Sequence, residues 1–160
     1  MQKLPTLIMF DIDGTLAQPI DFSEQTTDEH VLGARPIHNT IRLVAKFLCM
    51  PHMEVMFCTG RPKRMFRPTW AWLNRHLNLT TIGRPVPLIC RPDELSPSQI
   101  PAYKLSEVLQ ALRRMSSRPP KAWIYDDSVA NLRLFQTLRP FVGELRLYRV
   151  EDGIATQWSM

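Results

Sequence analysis

The sequence predicts an α/β domain built on a parallel sheet, with helices on both faces and no sizeable cap domain inserted. Three observations carry this. Short apolar runs recur along the 160 residues with helix-period segments between them. Three of those runs end in compact polar groups, Asp11-Ile12-Asp13-Gly14-Thr15, Thr59-Gly60-Arg61-Pro62 and Asp126-Asp127-Ser128. The chain is long enough to bury a core and short enough to form one domain, taken as residues 1–160. Strand–helix alternation calls for parallel pairing through right-handed crossovers. Sheets of this kind bind ligands at the carboxyl ends of their strands, where strand order reverses.

The elements follow in order. Leu7-Ile8-Met9-Phe10 reads as a short buried strand. Period-two alternation puts Asp11 and Asp13 on one side with Ile12 opposed, and Gly14 lets the chain turn away. Ala17 to Arg35 is polar, without a long apolar period, and reads as a flap over the strand end. From Pro36 to Met50 the residues Ile37, Ile41, Val44, Ala45 and Leu48 fall at helical spacing, with Asn39 as N-cap and Pro51 as stop. Glu54 to Cys58 is a second buried strand.

A helix from about Arg67 to Asn78 places Trp70, Leu73 and Leu77 on one face, with Pro68 in its first turn. Pro87 to Cys90 is a third strand, and Arg91 to Pro101 a proline-punctuated loop. Tyr103 to Met115 is a helix striped by Leu105, Val108, Leu109 and Leu112. Pro119 and Pro120 mark a break before the strand Ala122 to Tyr125. Val129 to Leu138 is helical, Leu145 to Val150 is a last strand, and the residues after Glu151 carry no motif.

Composition sets the class. With 44% hydrophobic and 22% charged residues, the chain is globular rather than disordered. No apolar run approaches a membrane span, and no export signal is visible, so a cytoplasmic location is expected. Cys49, Cys58 and Cys90 show no metal-ligand spacing and read as free thiols. The net charge of +5 suits a phosphorylated or polyanionic partner as well as plain solubility.

Two carboxylates one residue apart at a strand end are costly unless a cation neutralises them, and carboxylate oxygens suit Mg²⁺. Around one point, Asp11, Asp13, Thr59, Lys104 and Asp127 supply the parts of phosphoryl transfer. Those parts are a carboxylate nucleophile, a second carboxylate to move protons, a hydroxyl and an ammonium for the phosphoryl oxygens, and metal ligands.

The set FDIDGTL, a strand-end TGR, a helical lysine and a strand-end DDS resembles the four motifs of the haloacid dehalogenase (HAD) phosphohydrolase superfamily. The resemblance implies a three-layer Rossmann-like fold with Asp11 as nucleophile and Asp13 as general acid/base. Mg²⁺ would be held by Asp11, Asp127 and the backbone carbonyl of Asp13. Thr59, Gly60, Arg61 and Lys104 would bind the phosphoryl group, with Asp126 and Asn131 behind the ligands or as alternatives to them.

TGRPKRMFRPTWAWLNRHLNL, PLICRPDE and IYDDSVANL further resemble the phosphatase domain of phage polynucleotide kinase/3′-phosphatases over roughly Leu4 to Leu147. That group usually carries an aspartate where Ile100 stands and an arginine in the flap, where Ala17 to Ala34 has none. The sequence holds no GxxxxGK[ST] phosphate loop, so phosphatase chemistry alone is expected. The implied substrates are DNA or RNA 3′-phosphate ends or nucleotides. Arg64 and Arg67 are candidate backbone contacts, and Phe66, Trp70 or Trp72 could stack on a base. Two other readings stand beside this one: a metabolite or sugar-phosphate phosphatase covered by an oligomer partner, and a non-catalytic phosphate- or nucleic-acid-binding module.

Overall fold

The fold is known from a computed structural model that describes residues 5–115 and 120–159. Leu4 and Pro119, named above, lie outside them. One six-stranded sheet runs in the order β3-β2-β1-β4-β5-β6. Its strands are β1 (Thr6–Phe10), β2 (Met53–Pro62), β3 (Leu88–Arg91), β4 (Lys121–Asp126), β5 (Glu144–Glu151) and β6 (Ile154–Gln157). The first five pair in parallel, and β6 turns back antiparallel along β5. The order reverses at β1, which lies between β2 and β4, so the ends of those three strands meet.

Every residue of β1 is buried because the sheet is covered on both faces. Ile8 and Phe10 join the core beneath α2 (His38–Leu48) and α3 (Phe66–Leu77). Leu7 and Met9 join a second core beneath α4 (Ile100–Met115) and α5 (Val129–Phe135). The same alternation continues past the strand. Ile12 packs in the first core, while Asp11 shares the side of Met9, toward α4.

An aromatic ladder crosses the sheet just below the polar strand ends. Phe10, Tyr125 and Tyr148 are register partners on β1, β4 and β5. Their rings stack at 4.6 and 4.5 Å between centroids. Such same-face aromatic pairs fix strand register, and with it the relative height of the residues that follow.

Several element boundaries differ from expectation for local reasons. The segment Ala17 to Arg35 contains a five-residue helix, α1 (Asp28–Leu32), packed against α3. Only Val31 of α1 is buried, so no apolar stripe announces it. Helix α2 is capped at Ile37, not Asn39; the Thr40 hydroxyl donates to the carbonyls of Ile37 and Thr15 and ties the helix start to the turn after β1. Ala45 on that helix is exposed. Helix α4 starts at Ile100, before the expected Tyr103, because a capping box at Ser96 and Gln99 begins a turn that Pro101 continues. The expected helix to Leu138 tightens after Phe135 into 3-10 geometry over Gln136–Phe141, which contains Pro140. Strand β6 was not expected at all. It is reached through Asp152 and Gly153, both at positive φ, the backbone a two-residue hairpin turn requires.

Candidate active site

The turn after β1 is built on one carbonyl. The amides of Thr15, Leu16 and Ala17 all donate to Ile12 O, while the Gly14 amide donates to Ala17 O. Gly14 sits at φ +78°, and a Cβ there would lie 2.2 Å from Asp127 Oδ2. Glycine is therefore required twice over, for the backbone and for the approach of Asp127.

Asp11, Asp126 and Asp127 converge, with a carboxylate oxygen of each within 4.8 Å of the others. Lys104, projecting from α4 and almost wholly buried, bridges two of them. Its Nζ lies 2.8 Å from Asp11 Oδ1 and 2.9 Å from Asp126 Oδ2. Burial alone would depress the lysine pKa; the Asp11 and Asp126 charges outweigh it and hold the ammonium well above its usual range. Burial pushes Asp11 well up against the pull of Lys104. Burial, then the Asp126 charge, pushes Asp127 up as well. Three carboxylates facing one ammonium leave excess negative charge in a confined space.

Asp126 is fully enclosed. Its oxygens accept from Lys104, from Asn131 Nδ2 at 2.9 and 3.0 Å, and from the Ser128 amide at 2.9 Å. Its bonds are thus spent on orienting Lys104 and Asn131. Asp127 is half-buried, beside Gly14. With Asp126 so engaged, Asp11 and Asp127 are the carboxylates of this cluster that could hold a divalent cation.

Asp13 stands apart from that cluster and faces β2. Arg61 grips it with both arms of the fork, Nε to Oδ2 at 2.9 Å and Nη2 to Oδ1 at 2.7 Å. Arg61 is fully buried, its Nη1 donates to the Thr69 hydroxyl at 3.3 Å, and the Phe22 ring lies over its guanidinium at 5.2 Å. Thr59, also fully buried, accepts the Arg61 amide on its hydroxyl at 3.2 Å.

A cavity of about 370 Å³ opens onto Asp11, Asp13, Gly60, Lys104 and Asn131. Pro97, Ile100, Pro101 and Ala130 supply an apolar part of its lining. Ile100 lies so close to Gly60 that a Cβ there would meet its Cδ1 at 3.0 Å.

Of the arginines expected near a substrate, Arg64 is exposed but engaged. Its Nη2 donates to Ser23 O at 3.3 Å, and its amide donates to Asp93 Oδ1 at 3.2 Å. Lys63, in the 3-10 turn that precedes α3, and Phe66 and Arg67, which begin α3, are exposed. Trp72 is a core residue, its Nε1 donating to Ala34 O at 2.8 Å, and Trp70 is half-buried against the same core. Sequence reasoning missed Phe22, which lies in no recognisable motif; Thr69 belongs to the TGRPKRMFRPTWAWLNRHLNL resemblance, but its contact with Arg61 could not be read from it.

No family model matches the sequence, and no curated protein matches it. Solved structures do match the fold. The HAD domain of the Legionella pneumophila effector Lem4 superposes with a TM-score of 0.58 at 13% identity, over 93% of this chain and 88% of that one. An inactive mutant of the same domain gives 0.59 at 11% identity, over 94% and 88%. A Mesorhizobium loti protein described as a HAD-like phosphatase gives 0.50 at 17% identity, over 95% and 78%. At these identities the likeness is one of architecture: this chain has a HAD-like fold, with no large cap among the described residues.

Proposed function

We propose that this protein is a Mg²⁺-dependent phosphomonoester hydrolase that acts on polynucleotide 3′-phosphate ends or nucleotides through a phosphorylated aspartate. The observation that carries the reading is the Asp11–Lys104 pair at 2.8 Å, set in a cavity also lined by Asp13 and Gly60. A nucleophilic carboxylate beside a fixed ammonium, with a second carboxylate nearby, suits displacement at phosphorus.

The steps balance on this chain's own residues. An Asp11 oxygen attacks phosphorus, and the bond to the leaving oxygen breaks as Asp13 supplies its proton. Water then gives a proton to Asp13 and attacks the same phosphorus, releasing inorganic phosphate and restoring the Asp11 carboxylate. Lys104 and the Gly60 backbone, which line the cavity, hold the non-bridging oxygens, while Thr59, fully buried and outside that lining, serves to fix the Arg61 backbone. A Mg²⁺ held by Asp11, Asp127 and the Asp13 carbonyl would neutralise phosphoryl charge.

The substrate assignment rests on the motif likeness to phage 3′-phosphatases and on the exposed Lys63, Phe66 and Arg67, which follow the Thr59-Gly60-Arg61 strand end in the chain. Basic side chains there would neutralise backbone phosphates, and Phe66 offers a face for a terminal base. The apolar part of the lining, from Pro97, Ile100, Pro101 and Ala130, favours a second reading, an uncharged metabolite leaving group. Phosphate release from 3′-phosphorylated DNA and RNA oligonucleotides, nucleotides and sugar phosphates, with Mg²⁺, separates the two. Turnover of oligonucleotide ends above the others supports the proposal. Strong turnover of one metabolite with inert oligonucleotides overturns the substrate. No hydrolysis of any phosphomonoester overturns the enzyme reading in favour of a binding module.

A further inference from the structure

The phosphatase reading gives Asp13 the task of moving protons but leaves open what aims its carboxylate. A strand-end aspartate with two free torsions has no fixed direction of its own. Here the direction is imposed. Both Asp13 oxygens are held by one planar guanidinium at 2.9 and 2.7 Å, a bidentate geometry that fixes the plane of the carboxylate as well as its position.

The guanidinium is itself held from two further sides. Thr69, buried on α3, takes Nη1, and Phe22, from the segment that leads into α1, lies across the guanidinium. Arg61 is fully buried and lies outside the cavity lining that includes Asp11 and Lys104. Three of its five N–H groups are taken by Asp13 and Thr69. A phosphate ligand would have its donors turned to the cavity; this arginine has them turned to the proton carrier.

Resting on the phosphatase reading, we propose that Arg61, steadied by Thr69 and capped by Phe22, is a positioning residue that aims Asp13 at the leaving oxygen rather than a ligand of the phosphoryl group. The flap then serves the chemistry from outside the cavity. By covering Arg61 it keeps water from competing for the guanidinium, and so keeps the Asp13 carboxylate in one orientation.

The two roles separate by leaving group. Phosphoryl-group contacts serve every substrate alike, whereas an aimed proton donor matters when the leaving oxygen is an alkoxide and little when it is p-nitrophenolate. The readout is kcat/KM, which reports events up to the first P–O cleavage and is blind to the later hydrolysis step that all substrates share. For Arg61→Lys, which keeps the charge and loses the fork, the expected loss is ~10–100-fold on an alkyl phosphate and less than ~3-fold on p-nitrophenyl phosphate. Inhibition by inorganic phosphate should be unchanged. In an Asp13→Asn background the same substitution should add nothing on either substrate.

Phe22→Ala, which leaves the Asp13–Arg61 pair in place, should show the same leaving-group bias at roughly 3–10-fold. It decides the matter if the lysine variant does not fold. Equal losses on both substrates, with weakened phosphate inhibition, would make Arg61 a phosphoryl ligand and overturn the proposal while the phosphatase reading stands. A wild type that hydrolyses neither substrate overturns the phosphatase reading itself.

Discussion

The ammonium of Lys104 lies 2.8 Å from the Asp11 carboxylate, and both groups are almost wholly buried. Each charge is tolerable there only because the other is present. Lys104→Met should therefore cost about 3–5 kcal/mol of stability in metal-free buffer, since Asp11 and Asp126 lose their shared counter-ion. It should also lower phosphate release at least ~100-fold. Urea unfolding and a phosphate assay on the same preparation test both. A methionine variant as stable and active as wild type would show the pair to be incidental.

The carboxylates around Lys104 should make the protein a magnesium binder whether or not substrate is present. At Mg²⁺ concentrations near 100-fold above the dissociation constant, the folded state should gain about 2.7 kcal/mol, read as a rise in Tm. Asp127→Asn should remove most of that rise, because Asp127 is the half-buried ligand candidate. An unchanged Tm across a Mg²⁺ titration of wild type contradicts the metal site.

Gly14→Ala should be far more harmful than a surface glycine substitution. The new Cβ would sit 2.2 Å from Asp127 Oδ2, on a backbone at φ +78°. The backbone alone costs roughly 1–2 kcal/mol for a residue with a side chain, and relief of the clash must move Asp127. Activity should fall at least ~10-fold with a weakened Mg²⁺ response. Gly83→Ala is the control, because it shares a positive φ, +71°, but meets no atom within 4 Å. Equal effects from the two substitutions would rule out the clash as the cause.

The three cysteines should divide sharply. Cys49 is exposed, while burial pushes the Cys58 and Cys90 thiols up to about 12. A thiol reagent at pH 8 should label Cys49 alone until denaturant is added. The same shifts predict a pH effect. A thiol whose pKa is raised in the folded state favours folding fully below the unfolded value, about 8.5, and loses that contribution as pH rises toward 12. Unfolding free energy should therefore fall above pH 9, by about 1.4 kcal/mol per pH unit for each thiol. Cys58→Ala should flatten that slope. Rapid labelling of Cys58 in the native protein would contradict its burial.

What could be read from the sequence was whatever is written locally. Leu7 to Phe10 followed by Asp11 and Asp13 announces a buried strand ending in acids, and the structure has β1 there, with Ile12 turned into the opposite core. The lysine on a striped helix was legible for the same reason; Lys104 shares α4 with Val108 and Leu112. Helix α1 was not legible, because it buries one residue and has no period to detect. Strand β6 could have been found, since Asp152-Gly153 is a hairpin signal, but Ile154 to Gln157 is mostly exposed and lacks clean alternation.

The Arg61–Asp13 fork joins residues 48 positions apart. Sequence places Arg61 after a strand-end TG, where a phosphate contact is the natural expectation. Only the packing of Thr69 and Phe22 shows its fork turned onto Asp13.

The central claim is that Asp11 is the attacking group. Steady-state phosphate release by Asp11→Asn, compared with wild type at saturating Mg²⁺ on the same substrate, tests it most directly. The substitution keeps shape and removes the nucleophilic charge, so the expected result is a folded protein with activity reduced on the order of 10³-fold or more. A folded asparagine variant that releases phosphate within tenfold of wild type would contradict the account.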